Sequence, residues 1–341
     1  MSRVKFIAIG CAVVVVIVAC FSFFHSWSQH TDVVSELSVV GFATEASNQK
    51  NEDRLITFRI SSKGKFVAEV AGVFDGHGGD AASEFVAKNF EKKLVESIRG
   101  LKSTASSDTM SIIQSALKIT FKEMEEDLDS FLTNAGLFKV GTCGLVVAVI
   151  GDQFIAANLG DSEALFIPNG DTRWYRSFKL NTRHNANNPD EASRLRREFP
   201  GETDVIDYSN SGYRVKGYLQ ITRSFGDLFL KKRIPGIPSS KIINPPYISS
   251  TPEFSKYSGN GWVVLATDGL WDHLKNPFDI NAILETPGKT PKQKAESLIE
   301  AAYAEAARKN GITVSQLRQL PPDQKRRRID DISVVILKVG K

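Results

Sequence analysis

A set of acidic residues falls in one kind of place along this chain, just outside runs of strand-forming apolar residues. Asp75 closes Val73-Phe74 and is followed by Gly76-His77-Gly78-Gly79; Asp268 closes Val263-Val264-Leu265-Ala266-Thr267. Asp161 follows Ala157-Asn158-Leu159-Gly160, Asp330 precedes Ile332-Ser333-Val334-Val335, and Glu52-Asp53 opens a further apolar run. A carboxylate at the mouth of a sheet is costly to desolvate unless something pairs with it. No matching set of arginines stands beside these residues in the sequence, so the pattern points to divalent cations. Carboxylates, carbonyls and water suit hard octahedral ions, magnesium or manganese. Two such ions sharing a water can lower its pKa and aim it at phosphorus. A lone Asp-Gly is ordinarily a turn. Asp75 differs in its company: Gly76, Gly78 and Gly79 let the backbone come close enough for a carbonyl to act as ligand. His77 is a candidate proton donor to a leaving alkoxide. The residues alone indicate a carboxylate metal site and leave the substrate open.

The elements that must position these side chains can be read from period. Asp80 to Ile98 places Phe85, Val86, Phe90, Leu94 and Ile98 on one helical face, and Thr109 to Phe131 does the same with Ile112, Ile113, Leu117, Phe121, Met124 and Leu128. A third helix starts after Thr290, where Thr-Pro-Lys-Gln supplies an N-cap, a first-turn proline and a capping-box partner. Thr142–Ile150 and Gln153–Asn158 form a predicted hairpin about Gly151-Asp152. Phe66–Phe74, Trp262–Thr267 and Ile332–Val339 are β-branched and apolar, as buried strands are. Strands in runs with helices in pairs indicate an α+β fold rather than a doubly wound parallel sheet.

The 341 residues are 42% hydrophobic and 24% charged, an ordinary globular composition. A net charge of +4 without a concentrated basic face excludes nucleic acid as the expected partner. Lys325-Arg326-Arg327-Arg328 reads as a solvated loop or turn. Of the three cysteines, Cys11 and Cys20 lie in an apolar N-terminal stretch, leaving Cys143 as a buried small residue with no partner for an intradomain disulfide. Phe6 to Phe24 is a run of 19 uncharged, mostly apolar residues, about the length that spans a bilayer. Residues 1–5 flank a signal-anchor helix over 6–24, a polar linker covers 25–37, and one domain fills 38–341. Arg3 and Lys5 before the run, with Asp32 and Glu36 after it, place the domain on the non-cytoplasmic side. The lack of Asn-x-Ser/Thr acceptors and of paired cysteines pulls the other way, and Val18-Ala19-Cys20 also suits a cleaved signal. The expectation is a single-pass membrane protein, mitochondrial or in the secretory pathway or plasma membrane, with its sidedness open.

Val73-Phe74-Asp75-Gly76-His77-Gly78-Gly79 resembles the hallmark segment of the type 2C metal-dependent serine/threonine protein phosphatases. Asn51-Glu52-Asp53, Gly141-Thr142-Cys143-Gly144, Ala157–Ser162, Thr222–Asp227, Ala266–Asp272 and Asp330–Val334 resemble further segments in the family's order, over essentially all of residues 38–340. The resemblance implies a four-layer αββα sandwich, two packed antiparallel sheets flanked by helices, with metals at one end. It implies two Mg2+ or Mn2+ ions and a third, weaker one. By position Asp75 resembles the carboxylate bridging both metals, with Gly76 lending a carbonyl. Asp268 and Asp330 resemble direct ligands, and Glu52 and Asp53 the holders of metal-bound waters. Asp161 and Asp272 resemble ligands of the third ion, and His77 the general acid. Asp330 is preferred over Asp331, which stands where the family usually has asparagine.

Asn48 replaces the arginine that grips substrate phosphate in many members, with Lys50 a nearby basic residue. This departure, with His184–Asn188 and Pro245-Pro246-Tyr247, is similar to the pyruvate dehydrogenase phosphatases and to a plant branch linked to plasma-membrane substrates. Glu163 stands where arginine is common, and Arg183 where an acidic residue is common; neither is expected to touch the metal set. The implied activity is hydrolysis of phosphoserine and phosphothreonine in proteins by a metal-bound hydroxide, in one step, by a monomeric catalytic domain. The alternatives are a pseudophosphatase that binds phosphoproteins without turnover, and a metal phosphatase acting on small molecules or lipids.

Overall fold

The structure, a computed structural model, describes residues 40–47, 49–62, 65–102, 108–170, 174–209, 212–236 and 240–340. The apolar run 6–24, the linker and Asn48 lie outside these residues. Among the described residues no helix is long and apolar enough to cross a membrane.

Two five-stranded antiparallel sheets form the centre. One runs in the order β13 (Glu253–Ser258), β7 (Gln153–Leu159), β6 (Gly144–Ile150), β3 (Lys65–Phe74) and β2 (Arg54–Ser62). The other runs β1 (Val40–Glu45), β15 (Ile332–Val339), β14 (Gly261–Ala266), β8 (Glu163–Pro168) and β9 (Phe178–Lys179). The central strands β3, β6, β7, β14 and β15 are buried on both faces, and the period of two sorts their side chains. Ala71, Val73, Leu145 and Val147 meet Val263, Leu265, Val335 and Leu337 between the sheets. Val70, Phe74, Val146 and Ala148 point the other way, onto α1 (Ala81–Lys102) and α2 (Thr109–Ala135). On the far side Val264, Ala266, Val334 and Ile336 pack against α5 (Pro291–Lys309) and its neighbours. The layers are therefore helices, sheet, sheet, helices, as the α+β reading expects.

Of the predicted helical faces, Val86, Phe90, Leu94 and Ile98 on α1 and Ile113, Leu117, Phe121, Met124 and Leu128 on α2 are buried, while Phe85 and Ile112 are partly buried at their borders. The α5 N-terminus carries the expected capping box: Gln293 N donates to Thr290 Oγ1 at 3.3 Å, and Thr290 N donates to Gln293 Oε1 at 2.9 Å. Of two further helices, α4 (Pro277–Leu284) packs in the same cluster as α5, and α3 (Pro189–Glu198) packs with a separate hairpin of β10 (Ile206–Ser209) and β11 (Gly212–Val215).

The predicted strands shift by a residue at several ends, and the hairpin departs further. The hairpin begins at Gly144, because Cys143 N donates to the Asp75 carbonyl at 2.8 Å and breaks the pairing there. Gly141-Thr142 instead forms β5, the middle of a three-stranded patch between β4 (Gly76–His77) and β12 (Phe225–Gly226). That patch sits at the end of β3 and sets His77 beside residues 225–227. The basic run also differs from a plain solvated turn. Pro322–Arg326 is a short helix, and Lys325 Nζ donates to the Ala46 carbonyl at 2.9 Å.

Candidate metal centre

Asp75 and Asp268 leave the ends of β3 and β14, one from each sheet, and Asp161 follows β7 by way of Gly160. One carboxylate oxygen from each of the three lies within 4.8 Å of the others. Backbone contacts make this approach possible. The Asp75 carbonyl accepts from Cys143 N and from Thr142 Oγ1 at 3.0 Å, which fixes where the chain leaves the strand. Asp268 opens a one-turn helix whose second residue, Gly269, lies so close to the Asp331 carbonyl that an added Cβ would come within 2.2 Å of it. Gly76 is equally constrained: a Cβ there would meet the Glu52 carbonyl at 2.3 Å.

The two adjacent aspartates before β15 divide their work. Asp331 is buried and accepts hydrogen bonds from Ser47 N at 2.6 Å, Ser47 Oγ at 2.9 Å and Glu52 N at 2.9 Å. It pins the loop that carries Glu52 and Asp53. Asp330 keeps a partly exposed carboxylate 3.9 Å from Arg326 Nε. Asp53 is buried and accepts from Thr267 Oγ1 at 2.9 Å, while Ser333 N donates to the same hydroxyl at 3.0 Å. Glu52 meets Arg326 Nη1 at 3.2 Å. Asp272 lies apart from the convergent three, half-exposed, with Arg183 Nη1 at 3.1 Å. Lys50 Nζ pairs with Asp80 at 2.6 Å.

Two expectations need correcting. The carboxylates do have arginines beside them: Arg183, remote in sequence from Asp272, and Arg326, which lies four residues before Asp330 and also meets Glu52 from a distant segment. Arg183 also touches Asp272, one of the residues expected to hold metal. Both arginines pair with outer carboxylates.

Burial and mutual repulsion raise the inner acids. Asp75 is pushed well above the usual carboxylate range by burial and then by Asp268, Asp53 and Asp161. Asp268 is pushed well above it by burial, Asp161, Asp272 and Asp330. Asp53 is pushed up to about 8 by burial and the neighbouring Asp331 charge, against its hydrogen bond from Thr267. Asp161 and Asp330 are raised by burial, with Arg183 and Arg326 opposing. Buried oxygen donors that repel one another and lack enough positive charge are a donor set that fits hard divalent ions. Cys143, buried as expected, donates its thiol to Asp161 Oδ1 at 3.3 Å. Burial and the nearby aspartates push its pKa well up, so it stays protonated.

His77 lies at the rim, with Nε2 2.9 Å from Asp227 Oδ2. Burial works against the charged ring, but the Asp227 carboxylate prevails and holds its pKa above the ordinary value. Asp227 is fully buried, takes a left-handed backbone (φ 53°) and accepts from Ser224 Oγ at 2.5 Å. Gly141 makes room for the pair: a Cβ there would meet Asp227 Oδ2 at 2.3 Å and His77 Nε2 at 2.6 Å. Sequence reasoning assigned no role to Asp227, Asp331 or Thr267. Thr267 and Asp331 lie beside predicted site residues, whereas the signal for Asp227 was only that it closes a segment, Thr222–Asp227, that resembles the family.

The family profile described as protein phosphatase 2C matches residues 37–311. The chain is 30% identical over 276 residues to the Arabidopsis thaliana protein named "Probable protein phosphatase 2C 42", covering 78% of this chain and 71% of that one. It is 30% identical over 322 residues to "Probable protein phosphatase 2C 29" of Oryza sativa subsp. japonica, covering 88% and 79%. Among solved structures, serine-threonine phosphatase 2C from Toxoplasma gondii superposes with a TM-score of 0.65 at 17% identity, over 90% of this chain and 98% of that one. A C. elegans sex determining protein gives a TM-score of 0.63 at 21% identity, this chain spanning 65% of its length.

The raised carboxylates set a testable pH dependence. An aspartate whose folded pKa exceeds its unfolded value of roughly 3.9 favours folding fully below that value and loses the benefit as pH rises through the folded one. For Asp53 the window runs up to about 8. In chelator, the Tm of the unsubstituted chain should therefore fall more steeply between pH 5 and pH 8 than that of Asp53→Asn. Parallel melting curves would refute the assignment of a buried, repelled charge at Asp53.

Proposed function

The chain belongs to the protein phosphatase 2C family, and is by that membership a metal-dependent serine/threonine protein phosphatase; from this premise we propose that it hydrolyses phosphoserine and phosphothreonine in proteins at a magnesium or manganese centre held at one end of the sheet sandwich. The observation that carries the reading is the convergence of Asp75, Asp161 and Asp268 from three strand ends to within 4.8 Å. Asp75, the Gly76 carbonyl, Asp268 and Asp330 would hold the ions; Asp161, expected with Asp272 at a third ion, instead converges on Asp75 and Asp268 and would be a further donor there. Glu52 and Asp53 would orient waters. When bound, the ions supply Lewis acidity that activates water and neutralises charge on the phosphoryl oxygens. Thr267 and Asp331 hold the acidic loop in register, and the dry inter-sheet core behind it keeps the carboxylates from dispersing into solvent. His77 protonates the departing serine or threonine oxygen, and Asp227 keeps the ring charged and aimed.

The pseudophosphatase alternative is not favoured, because the chain retains every carboxylate of the expected set. The apolar run 6–24 further leads us to propose a membrane tether, with residues 25–37 as the spacer to the catalytic domain. The charge flank and length of that run support this reading.

Phosphate release from a phosphothreonine peptide should require Mn2+ or Mg2+, stop in chelator, and fall by more than about 100-fold in Asp268→Asn. A folded chain inert at every metal concentration would instead favour the binding-module reading. Because Asp227 raises the His77 pKa and the protonated ring is the active form, rate should drop at high pH, and Asp227→Asn should move that drop to lower pH. An unmoved limb in Asp227→Asn would remove His77 from the acid role. The full chain should sediment with lipid vesicles, whereas a chain lacking residues 1–37 should stay in the supernatant; co-sedimentation of both would move the anchor elsewhere.

A further inference from the structure

Arg183 is held in place from both sides. The next residue, His184, donates its backbone N to the Gly160 carbonyl at 2.9 Å, and Asn188 Nδ2 donates to the Arg183 carbonyl at 2.9 Å. Its backbone is thus tied to the turn that presents Asp161. The guanidinium is three-quarters buried; Nε lies 2.9 Å from Glu163 Oε1 and Nη1 lies 3.1 Å from Asp272 Oδ1. Glu163 is itself buried and receives a second cation, Lys179. Burial opposes the charge on Arg183, yet Glu163, Asp272, Asp161 and Asp268 together hold it firmly protonated. A permanent positive charge therefore stands on the Asp272 side of the acidic cluster, bound to a predicted ligand that is not among the convergent three.

We propose that Arg183 serves as a built-in cation of the site, occupying Asp272 and keeping divalent ions off that side, so that they are confined to the carboxylates around Asp75. The inference rests on the metal-centre reading above. A divalent ion entering at Asp272 would have to break the Arg183 contact and then sit beside a guanidinium whose side chain is three-quarters buried and keeps its charge, and like charges at that range repel. Glu163 is what lets the arginine stay: it anchors the opposite edge of the fork, so the side chain cannot swing into solvent to make way. Arg183 touches none of the reacting atoms in this account. It positions charge.

Mn2+ uptake by the full chain, measured by isothermal titration at fixed pH, tests this with a readout independent of turnover. Arg183→Gln should bind about one equivalent more than the unsubstituted chain, through the freed Asp272 carboxylate. Asp272→Asn alone should leave uptake unchanged, because that carboxylate is already occupied. Adding Asp272→Asn to Arg183→Gln should abolish the extra equivalent, and Arg183→Lys should restore the original count. Equal uptake by Arg183→Gln and the unsubstituted chain, both folded by circular dichroism, would overturn the inference. So would loss of an equivalent in Asp272→Asn, a half-exposed position that serves as the test should Arg183→Gln not fold. Uptake by neither chain would instead sink the metal centre itself, and this inference with it.

Discussion

Like charges pressed together where solvent reaches them only in part are the constraint from which most of this architecture follows. Asp75, Asp161 and Asp268 converge to within 4.8 Å because each ends a strand or turn at the same edge of the sandwich. Carboxylates so arranged repel one another, and burial compounds the penalty, so the polypeptide must supply rigidity that the charges themselves would undo. The sheets provide it. Both faces of β3, β14 and β15 are packed, so none of these strands can tilt to let its terminal acid escape.

Rigidity alone does not set the loop that brings Glu52 and Asp53. That task falls on hydrogen bonds that reach across the molecule. Asp331 takes three donors from residues 47 and 52, and Thr267 joins Asp53 to the backbone of Ser333. One of two neighbouring aspartates is thus wholly structural while the other keeps its carboxylate at the site. A similar division holds at the rim, where Asp227 is hidden and His77 is presented. In each case a buried acid spends its charge on geometry so that its neighbour can do chemistry.

Much of this was legible in the sequence. Apolar, β-branched runs named core strands, the period of 3.6 named the buried faces of α1 and α2, and the capping box at Thr290 located a helix start. The acidic set stood out because each member followed an apolar run. What stayed hidden was long-range pairing. Arg183 meets Asp272 across 89 residues, His77 meets Asp227 across 150, and Arg326 meets Glu52 across 274. Local pattern carries no signal of such partners, which is why the arginines looked absent and the Glu163 and Arg183 departures looked remote from the site. The two residues are in fact a single feature, an ion pair with one end on Asp272.

The placement of β15 bears on how the molecule is made. This strand lies between β1 and β14, so β1, near the start of the domain, has no hydrogen-bonding neighbour in its sheet until residues 332–339 have emerged. The same late segment carries Asp331, without which the Glu52–Asp53 loop has nothing to close upon. During synthesis the first sheet, assembled from β2, β3, β6, β7 and β13, can take shape well before the second. Contacts separated by this much chain form slowly and leave apolar edges open while they wait. A nascent chain therefore holds most of the site's acidic residues for a long interval before they are gathered, and becomes competent to capture an ion only once residues 330–339 have joined the second sheet.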